Sequence, residues 1–213
     1  MVLGEYRLRL ILVRHGETDT DNPGKCHGAT DIDLSAEGYR QAKTLRQRFA
    51  GEHLDAIYSS TLIRGIRTAE AIASEHDIEI IRCPEVNEVD FGLIECITFE
   101  EACELYPEVT ELWRQNSTEL CFPEGEKFVD FQKRSVQFLE RLKNHKDDET
   151  VMLVGHGGPF RLMLCHLLDL PMRHYWQFIF ARASVSIVNI YSHGAILERL
   201  NDVSHLQKNR GLE

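Results

Sequence analysis

The sequence predicts an α/β fold, a three-layer α/β/α sandwich with helices on both faces of a mostly parallel central sheet. Short runs rich in Ile, Val and Leu alternate along the chain with longer amphipathic stretches, which is the pattern of parallel strands joined by helices. No internal repeat, low-complexity tract or Pro/Gly-rich linker divides the 213 residues. We therefore expect a single domain that covers residues 1–213.

The first half of the chain predicts three strands and two helices. The strands are expected at 8–13 (LRLILV), 55–60 (DAIYSS) and 78–83 (IEIIRC). The helices are expected at 34–51 and 61–76, which are amphipathic. Ser35 has the residue type and position of an N-cap for the first helix, and Gly51 lies just past its end.

A segment without strand signal separates the two halves. From about 96 to 125 the chain is acidic and contains Phe99, Tyr106, Trp113 and Phe122, which indicates short helices in a cap-like insertion. The remainder predicts, in order, a helix at 127–145, a strand at 150–155, a helix at 159–170 that stops at Pro171, and a hairpin at 184–201.

Charge and cysteine content limit the classes of function. A formal net charge of −10 disfavours nucleic acid and an anionic membrane as partners, since both need a basic face. A local arginine cluster can still bind a small anionic substrate. The six cysteines form no C-x-x-C pair or zinc-ligand spacing, so we expect reduced thiols and no metal. The apolar run at 10–13 is too short for a signal-peptide core or a membrane span, which indicates a cytoplasmic protein.

Two predicted strands end in the same way, with a histidine followed by a glycine. His15 closes LILVRHG, and His156 closes TVMLVGHGG. Ligands of open α/β sheets bind at the carboxyl ends of the strands, so neighbouring strands would bring both imidazoles into one crevice. Gly157 would let a ligand approach the backbone, and its amide could donate to an anion. Either histidine alone could also be an ordinary polar residue at a strand end.

Two arginines and a group of carboxylates lie at the same predicted edge. Arg14 directly follows the first strand, where an unpaired guanidinium is costly without an anionic partner. Arg64 lies in the first turn of the second helix, whereas Arg67 is expected to be a solvated surface residue. Glu88 follows the third strand, but spacing alone does not distinguish it from the acidic residues around it, which are Glu85, Asp90 and Glu95.

These motifs together resemble the histidine phosphatase superfamily, which includes the cofactor-dependent phosphoglycerate mutases and many phosphomonoesterases. The resemblance covers nearly the whole chain in order, through LVRHGET, DIDLSAEGYRQA, SSTLIRGIRTAEAI, NEVDFGLIE, PEGEKFVDFQKR and LVGHGGPFRLML. It implies a phosphoglycerate mutase-like fold and a phosphorylated metabolite as substrate.

The resemblance also implies roles for individual residues. His15 would be the nucleophile that becomes a phosphohistidine, and Glu88 would donate the proton to the leaving oxygen. The phosphoryl oxygens would be held by Arg14, Arg64 and His156. This set supplies positive charge at the three equatorial oxygens, so the resemblance implies no metal or other cofactor.

The chain departs from the family pattern at four places. Asp21 occupies the register of a usual asparagine, and we expect Asn22 to take that substrate-binding role. LIEC stands where W-E-G is common, and Lys25 replaces a usual arginine. Lys127, in GEK rather than G-E-S, would be a second contact for an anion.

The expected reaction is hydrolysis of a phosphomonoester. The chain is similar in length and motif style to α-ribazole phosphatases, which implies α-ribazole 5′-phosphate as the specific substrate. Alternatives are a fructose-2,6-bisphosphatase-like or broad sugar phosphatase, a phosphoglycerate mutase, and a non-catalytic phosphate-binding scaffold. A homodimer is compatible with the sequence, which does not fix the oligomeric state.

Overall fold

A computed structural model describes residues 3–19 and 24–206 of the chain. Asp21 and Asn22 lie outside the described residues. Within these ranges the chain forms the strands β1 (Tyr6–Arg14), β2 (Ala56–Ser59), β3 (Ile80–Arg82), β4 (Glu149–Gly155), β5 (Val185–Tyr191) and β6 (Gly194–Asp202). The helices are α1 (Ala36–Phe49), α2 (Ile63–Ala73), α3 (Phe99–Leu105), α4 (Pro107–Arg114), α5 (Phe128–Leu142) and α6 (Gly157–Leu167). None of the helices within 3–19 and 24–206 has the length and apolar character needed to cross a bilayer.

All six strands belong to one sheet in the order β3-β2-β4-β1-β5-β6. β1, β2, β3 and β4 run parallel, whereas β5 runs antiparallel to both β1 and β6. The predicted three-layer α/β/α class with a mostly parallel sheet is therefore confirmed. β1 and β4 are direct neighbours, and Arg14 pairs with Gly155 at their carboxyl ends.

Alternation along β1 divides the hydrophobic core into the two expected layers. Leu10 and Leu12 pack in the cluster that also holds buried residues of α5 and α6. Ile11 and Val13 face the opposite way, into the cluster with residues of α1 and α2. All four side chains are fully buried, and each contributes about 1.5–3 kcal/mol of transfer free energy. This two-sided burial holds β1 rigidly at the centre of the sheet.

The start of α1 anchors the loop that leaves β1. Ser35 caps the helix as predicted, since its Oγ accepts from the amide of Gly38 at 3.0 Å. The same hydroxyl donates to the Glu17 carboxylate at 2.7 Å. A Cβ on Gly38 would lie 2.0 Å from the Glu17 carbonyl oxygen, so only glycine allows this approach. These contacts hold the backbone that follows His15 against the start of α1.

The segment expected to form a cap contains α3 and α4. Thr98 begins α3 with a capping box, in which its hydroxyl and the Glu101 side chain satisfy each other's backbone amides. Trp113 of α4 packs among Phe91, Phe99 and Phe122, with ring centroids 5.1–5.3 Å apart. This aromatic cluster continues into buried residues of α5 and α6, so the segment shares its core with the rest of the protein.

Candidate active site

The two predicted histidines lie side by side at the carboxyl ends of β1 and β4. Their ring centroids are 4.9 Å apart. His15 is 3% exposed and His156 is fully buried. The pairing of Arg14 with Gly155 places the next residue of each strand at the same height, which is why the two rings meet.

A backbone contact defines the tautomer of His15. Its Nδ1 lies 2.7 Å from the carbonyl oxygen of Gly16, so Nδ1 carries the proton and donates. The lone pair is therefore on Nε2, where Arg182 Nη1 donates at 3.3 Å. His15 presents an unprotonated nitrogen toward the cluster of cations.

Both histidines are held neutral by their surroundings. Burial lowers the pKa of His15 well below the usual 6.5, and the positive charges of Arg182, Arg64 and Arg14 lower it further. Burial, followed by Arg64 and Arg14, likewise lowers the pKa of His156. Nε2 of His15 thus remains a free base below neutral pH.

His156 has one ring nitrogen bound and one without a hydrogen-bond partner. Its Nε2 lies 2.8 Å from the hydroxyl of Ser60 at the end of β2. Its buried Nδ1 has no hydrogen-bond partner among the described residues. An unsatisfied buried polar atom costs about 1–3 kcal/mol, which a ligand oxygen at this position would recover.

Arg64 is one of the most deeply buried side chains of the protein, at 1% exposure. Its guanidinium donates to the carbonyl oxygens of Gly28 at 2.6 Å and Thr30 at 2.8 Å. Both acceptors are neutral, and within 3–19 and 24–206 no carboxylate forms an ion pair with Arg64. Arg14 also donates to a backbone carbonyl oxygen, that of Phe180.

Glu95 fixes the loop that holds Arg64. Its carboxylate accepts from the amides of Gly28, Ala29 and Thr30 at 3.0, 2.9 and 3.3 Å, and from the Thr30 hydroxyl at 2.6 Å. Glu95 also accepts from the amide of Phe91 at 3.1 Å, so it joins its own turn to a loop far away in the chain.

Glu88 is the acid that contacts the start of α6 and lines the neighbouring cavity. Its carboxylate accepts from the amides of Val89 and Gly158, both at 3.1 Å. A Cβ on Gly158 would lie 2.1 Å from Glu88 Oε1, so this glycine makes the contact possible. Glu85, by contrast, pairs with Arg141, and Asp90 accepts from the amide of Gly92.

Arg134 of α5 holds the Glu88 loop in place. It donates to the carbonyl oxygens of Glu85, Asn87 and Glu88 at 2.6–3.0 Å. Its guanidinium also forms a bidentate pair with Glu126, at 2.6 and 2.8 Å. The GEK segment therefore acts on the site through Glu126 and Arg134.

A cavity of about 170 Å³ lies beside these groups, and His15, His156 and Arg64 are not among the described residues that line it. It is lined by Arg14, Lys25, Cys26, His27, Glu88, Val89, Phe91, Trp113, Phe122, Phe128, Phe131, Gly158, Arg161, Tyr175, Trp176 and Arg182. Lys127 is exposed at the start of α5 and is not one of the described residues that line this cavity. Arg67 is half-exposed in an ion pair with Glu70, as predicted for a surface residue. No group of three His, Cys, Asp or Glu side chains that could hold a metal ion occurs in 3–19 and 24–206.

Arg182 is the site residue that sequence reasoning missed. It precedes β5, and β5 pairs antiparallel with β1. The start of β5 therefore lies beside the end of β1, where Arg14 donates to the Ser184 carbonyl and Ala183 donates to that of His15. The sequence predicts the closing hairpin of β5 and β6, but it does not predict which strand this hairpin joins. Arg182 reaches the site because β5 pairs with β1.

Comparison with known proteins identifies the family to which this chain belongs. The model of the histidine phosphatase superfamily (branch 1) matches residues 10–203. Phosphoserine phosphatase 1 of Hydrogenobacter thermophilus is 36% identical over 93% of this chain and 94% of its own length. The adenosylcobalamin/α-ribazole phosphatase of Salmonella typhimurium is 32% identical over 91% of this chain and 96% of its own.

A solved structure shows a similar fold. It is a variant of the phosphoserine phosphatase of Entamoeba histolytica in complex with phosphoserine. It superposes with a TM-score of 0.83 at 29% identity and covers 94% of this chain and 100% of that one. The chain belongs to the histidine phosphatase superfamily, and it is a phosphatase.

The contact between Gly158 and Glu88 gives a direct test. Gly158→Ala would place a Cβ 2.1 Å from Glu88 Oε1 and 2.9 Å from the Phe131 ring. We expect Glu88 to be displaced, with roughly 1–3 kcal/mol less stability and a large fall in kcat for alkyl phosphates. Gly51→Ala is the control, since nothing lies within 4 Å of that Cβ. Full activity of Gly158→Ala would contradict the placement of Glu88.

The neutral buried histidines predict a loss of stability in acid. The unfolded chain binds protons at these residues near pH 6.5, but the folded chain binds them only at lower pH. The free energy of unfolding should therefore fall as pH drops below about 6.5, approaching about 1.4 kcal/mol per pH unit and per histidine. Urea unfolding from pH 7.5 to 5.5 measures this slope.

A variant separates this effect from other titrations. His156→Asn should reduce the slope, because it removes one of the two buried imidazoles. His53→Asn, at a side chain that is 85% exposed, should leave it unchanged. Equal slopes in the wild type and His156→Asn would show that His156 is protonated in the folded state.

Proposed function

We propose that this chain hydrolyses small phosphomonoesters through a phosphohistidine on His15, without a metal ion. The observation that carries this proposal is the state of His15. Its proton is fixed on Nδ1 by the Gly16 carbonyl, and its neutral Nε2 faces a cluster of guanidinium groups. A nucleophile in that state needs no further activation before it attacks phosphorus.

The cations are suited to hold the phosphoryl group. Arg182, Arg64 and Arg14 are close enough to His15 for their charges to lower its pKa, and Arg182 donates to its Nε2. The neutral ring of His156 lies beside it, with its Nδ1 available to a phosphoryl oxygen. Phosphoryl transfer depends mainly on positioning and on stabilising the charge of three equatorial oxygens. Carbonyl oxygens already hold the arginines, so little reorganisation is needed when the substrate binds.

The first step transfers the phosphoryl group to the protein. The Nε2 lone pair forms an N–P bond as the ester P–O bond breaks, and the leaving oxygen takes a proton from the Glu88 carboxylic acid. In the second step a water attacks phosphorus and gives its proton to the Glu88 carboxylate. The N–P bond breaks, and inorganic phosphate and free His15 result.

Two of the alternatives fit the site less well. A scaffold that only binds phosphate needs neither a fixed His15 tautomer nor an acid at Glu88. A sugar bisphosphatase could use Lys127 for the second phosphate, but Lys127 is not among the described residues that line the cavity.

A mutase would use the same first step and return the phosphoryl group to the substrate, so only product analysis separates it from a hydrolase.

Two substrates should be tested first. The aromatic cavity wall, with Phe91 and Trp113, favours α-ribazole 5′-phosphate, which carries a flat base. The relative of higher identity is a phosphoserine phosphatase, and the cationic lining favours a small ester with further negative charge.

Loss of the nucleophile should abolish turnover. We expect His15→Ala to lower the rate with p-nitrophenyl phosphate by roughly 10³-fold or more, and EDTA to leave the wild-type rate unchanged. His53→Ala serves as the exposed-histidine control. Inhibition by EDTA, or a His15→Ala variant of normal rate, would exclude the proposed mechanism.

The role of Glu88 should depend on the leaving group. An alkoxide needs the proton, whereas p-nitrophenolate leaves without it. Glu88→Gln should therefore slow alkyl phosphates by roughly 10²–10⁴-fold and p-nitrophenyl phosphate far less. Glu85→Gln is the matched control, because Glu85 pairs with Arg141 away from the cavity lining. Equal losses of rate with both esters would show that another residue donates the proton to the leaving oxygen.

A further inference from the structure

We propose that Arg161 binds a carboxylate of the substrate and so selects phosphomonoesters that carry this second anion close to the ester oxygen. This inference rests on the proposed function, because it takes the phosphoryl group to lie at His15. It assigns a specificity-determining role to a residue outside the phosphoryl-binding set.

Arg161 lies next to the phosphoryl site. It is near the start of α6, and its Nη1 comes within 3.6 Å of the position that a Cβ on Gly157 would occupy. Arg14 Cζ lies 3.7 Å from that same position. The two guanidiniums are thus neighbours across Gly157, so an anionic group a few bonds beyond the phosphoryl group would reach Arg161.

The guanidinium of Arg161 is held in a fixed orientation. Its Nε donates to the Phe178 carbonyl at 2.9 Å. Its Cζ lies 5.6 Å from the ring centroid of Tyr175 and 5.4 Å from that of Trp176. A planar guanidinium fixed in this way keeps its Nη groups oriented for a carboxylate, which it can bind through two bonds. No described carboxylate forms an ion pair with it.

Cationic side chains outnumber carboxylates among the described residues that line the cavity. Arg14, Lys25, Arg161 and Arg182 line it, and Glu88 is the one carboxylate among them. Arg161 is the cation of this set that packs against the rings of Tyr175 and Trp176. A second anionic group of the substrate would neutralise it in surroundings that strengthen the pair.

The size of the cavity favours a short linker between the two anions. Its volume of about 170 Å³ is below the roughly 300–1,000 Å³ of pockets that take drug-sized ligands. A phosphorylated hydroxy acid or amino acid meets both the size and the charge of this space.

Two esters that differ only in the carboxylate provide the test. O-Phosphoserine carries it, and O-phosphoethanolamine lacks it. We expect the wild type to prefer O-phosphoserine in kcat/KM by about 10- to 100-fold, as for hydrogen bonds to a charged group. Arg161→Met should remove most of this preference through a higher KM, with little change for O-phosphoethanolamine and p-nitrophenyl phosphate.

Two further variants control for the fold and for charge alone. Arg161→Lys keeps the charge and the apolar stem, and should retain only part of the preference because it lacks the planar fork. Lys25→Met removes another lining cation and should leave the preference in place. The wild-type comparison needs no variant, so the inference can be tested even if Arg161→Met is unstable.

Three outcomes would overturn the inference. They are equal kcat/KM for the two esters in the wild type, equal losses on both in Arg161→Met, or a wild-type preference for α-ribazole 5′-phosphate over O-phosphoserine. Each of these outcomes can occur while the protein still hydrolyses p-nitrophenyl phosphate. Absence of that turnover in the wild type would instead contradict the proposed function.

Discussion

The site depends on the parallel pairing of β1 with β4. This register ends both strands at the same height, with Arg14 opposite Gly155, and so places His15 and His156 with their rings 4.9 Å apart. A slip by one residue would turn one of the imidazoles toward the opposite face of the sheet. Fully buried apolar side chains on both faces of β1 prevent such a slip. The hydrophobic core therefore sets the geometry of the polar site.

The site keeps its positive charge because its arginines are held by carbonyl oxygens. Gly28 and Thr30 bind Arg64, and Phe180 binds Arg14. The supporting carboxylates act one step away, with Glu95 on the loop around Gly28 and Glu126 on Arg134. Burial, together with the positive charge of the arginines, keeps the two histidines neutral.

Aromatic side chains form an apolar wall beside this charge. Phe91, Trp113 and Phe122 line the cavity and belong to a core cluster that is shared with α5 and α6. Tyr175 and Trp176 extend this wall and hold Arg161 against it. An apolar wall excludes water and raises the strength of each ionic contact made in front of it.

The sequence by itself determined the elements that depend on local order. Short apolar runs predicted the strands, and amphipathic stretches predicted the helices. Ser35 marked the start of α1, and the His–Gly strand ends pointed to His15 and His156. The resemblance to a family then separated Glu88 from its acidic neighbours, which spacing could not do. Asn22 lies outside the described residues, so its predicted role stays a prediction.

Only the tertiary structure decided which distant segments meet at the site. Arg182 reaches His15 because β5 pairs with β1, and no local pattern states which strand a hairpin joins. Glu95 and Arg134 act through backbone groups of loops remote in sequence, and Lys127 is left exposed at the start of α5 although its motif suggested an anion contact. Local propensity is a property of neighbouring residues, whereas these contacts depend on the order and register of the whole sheet.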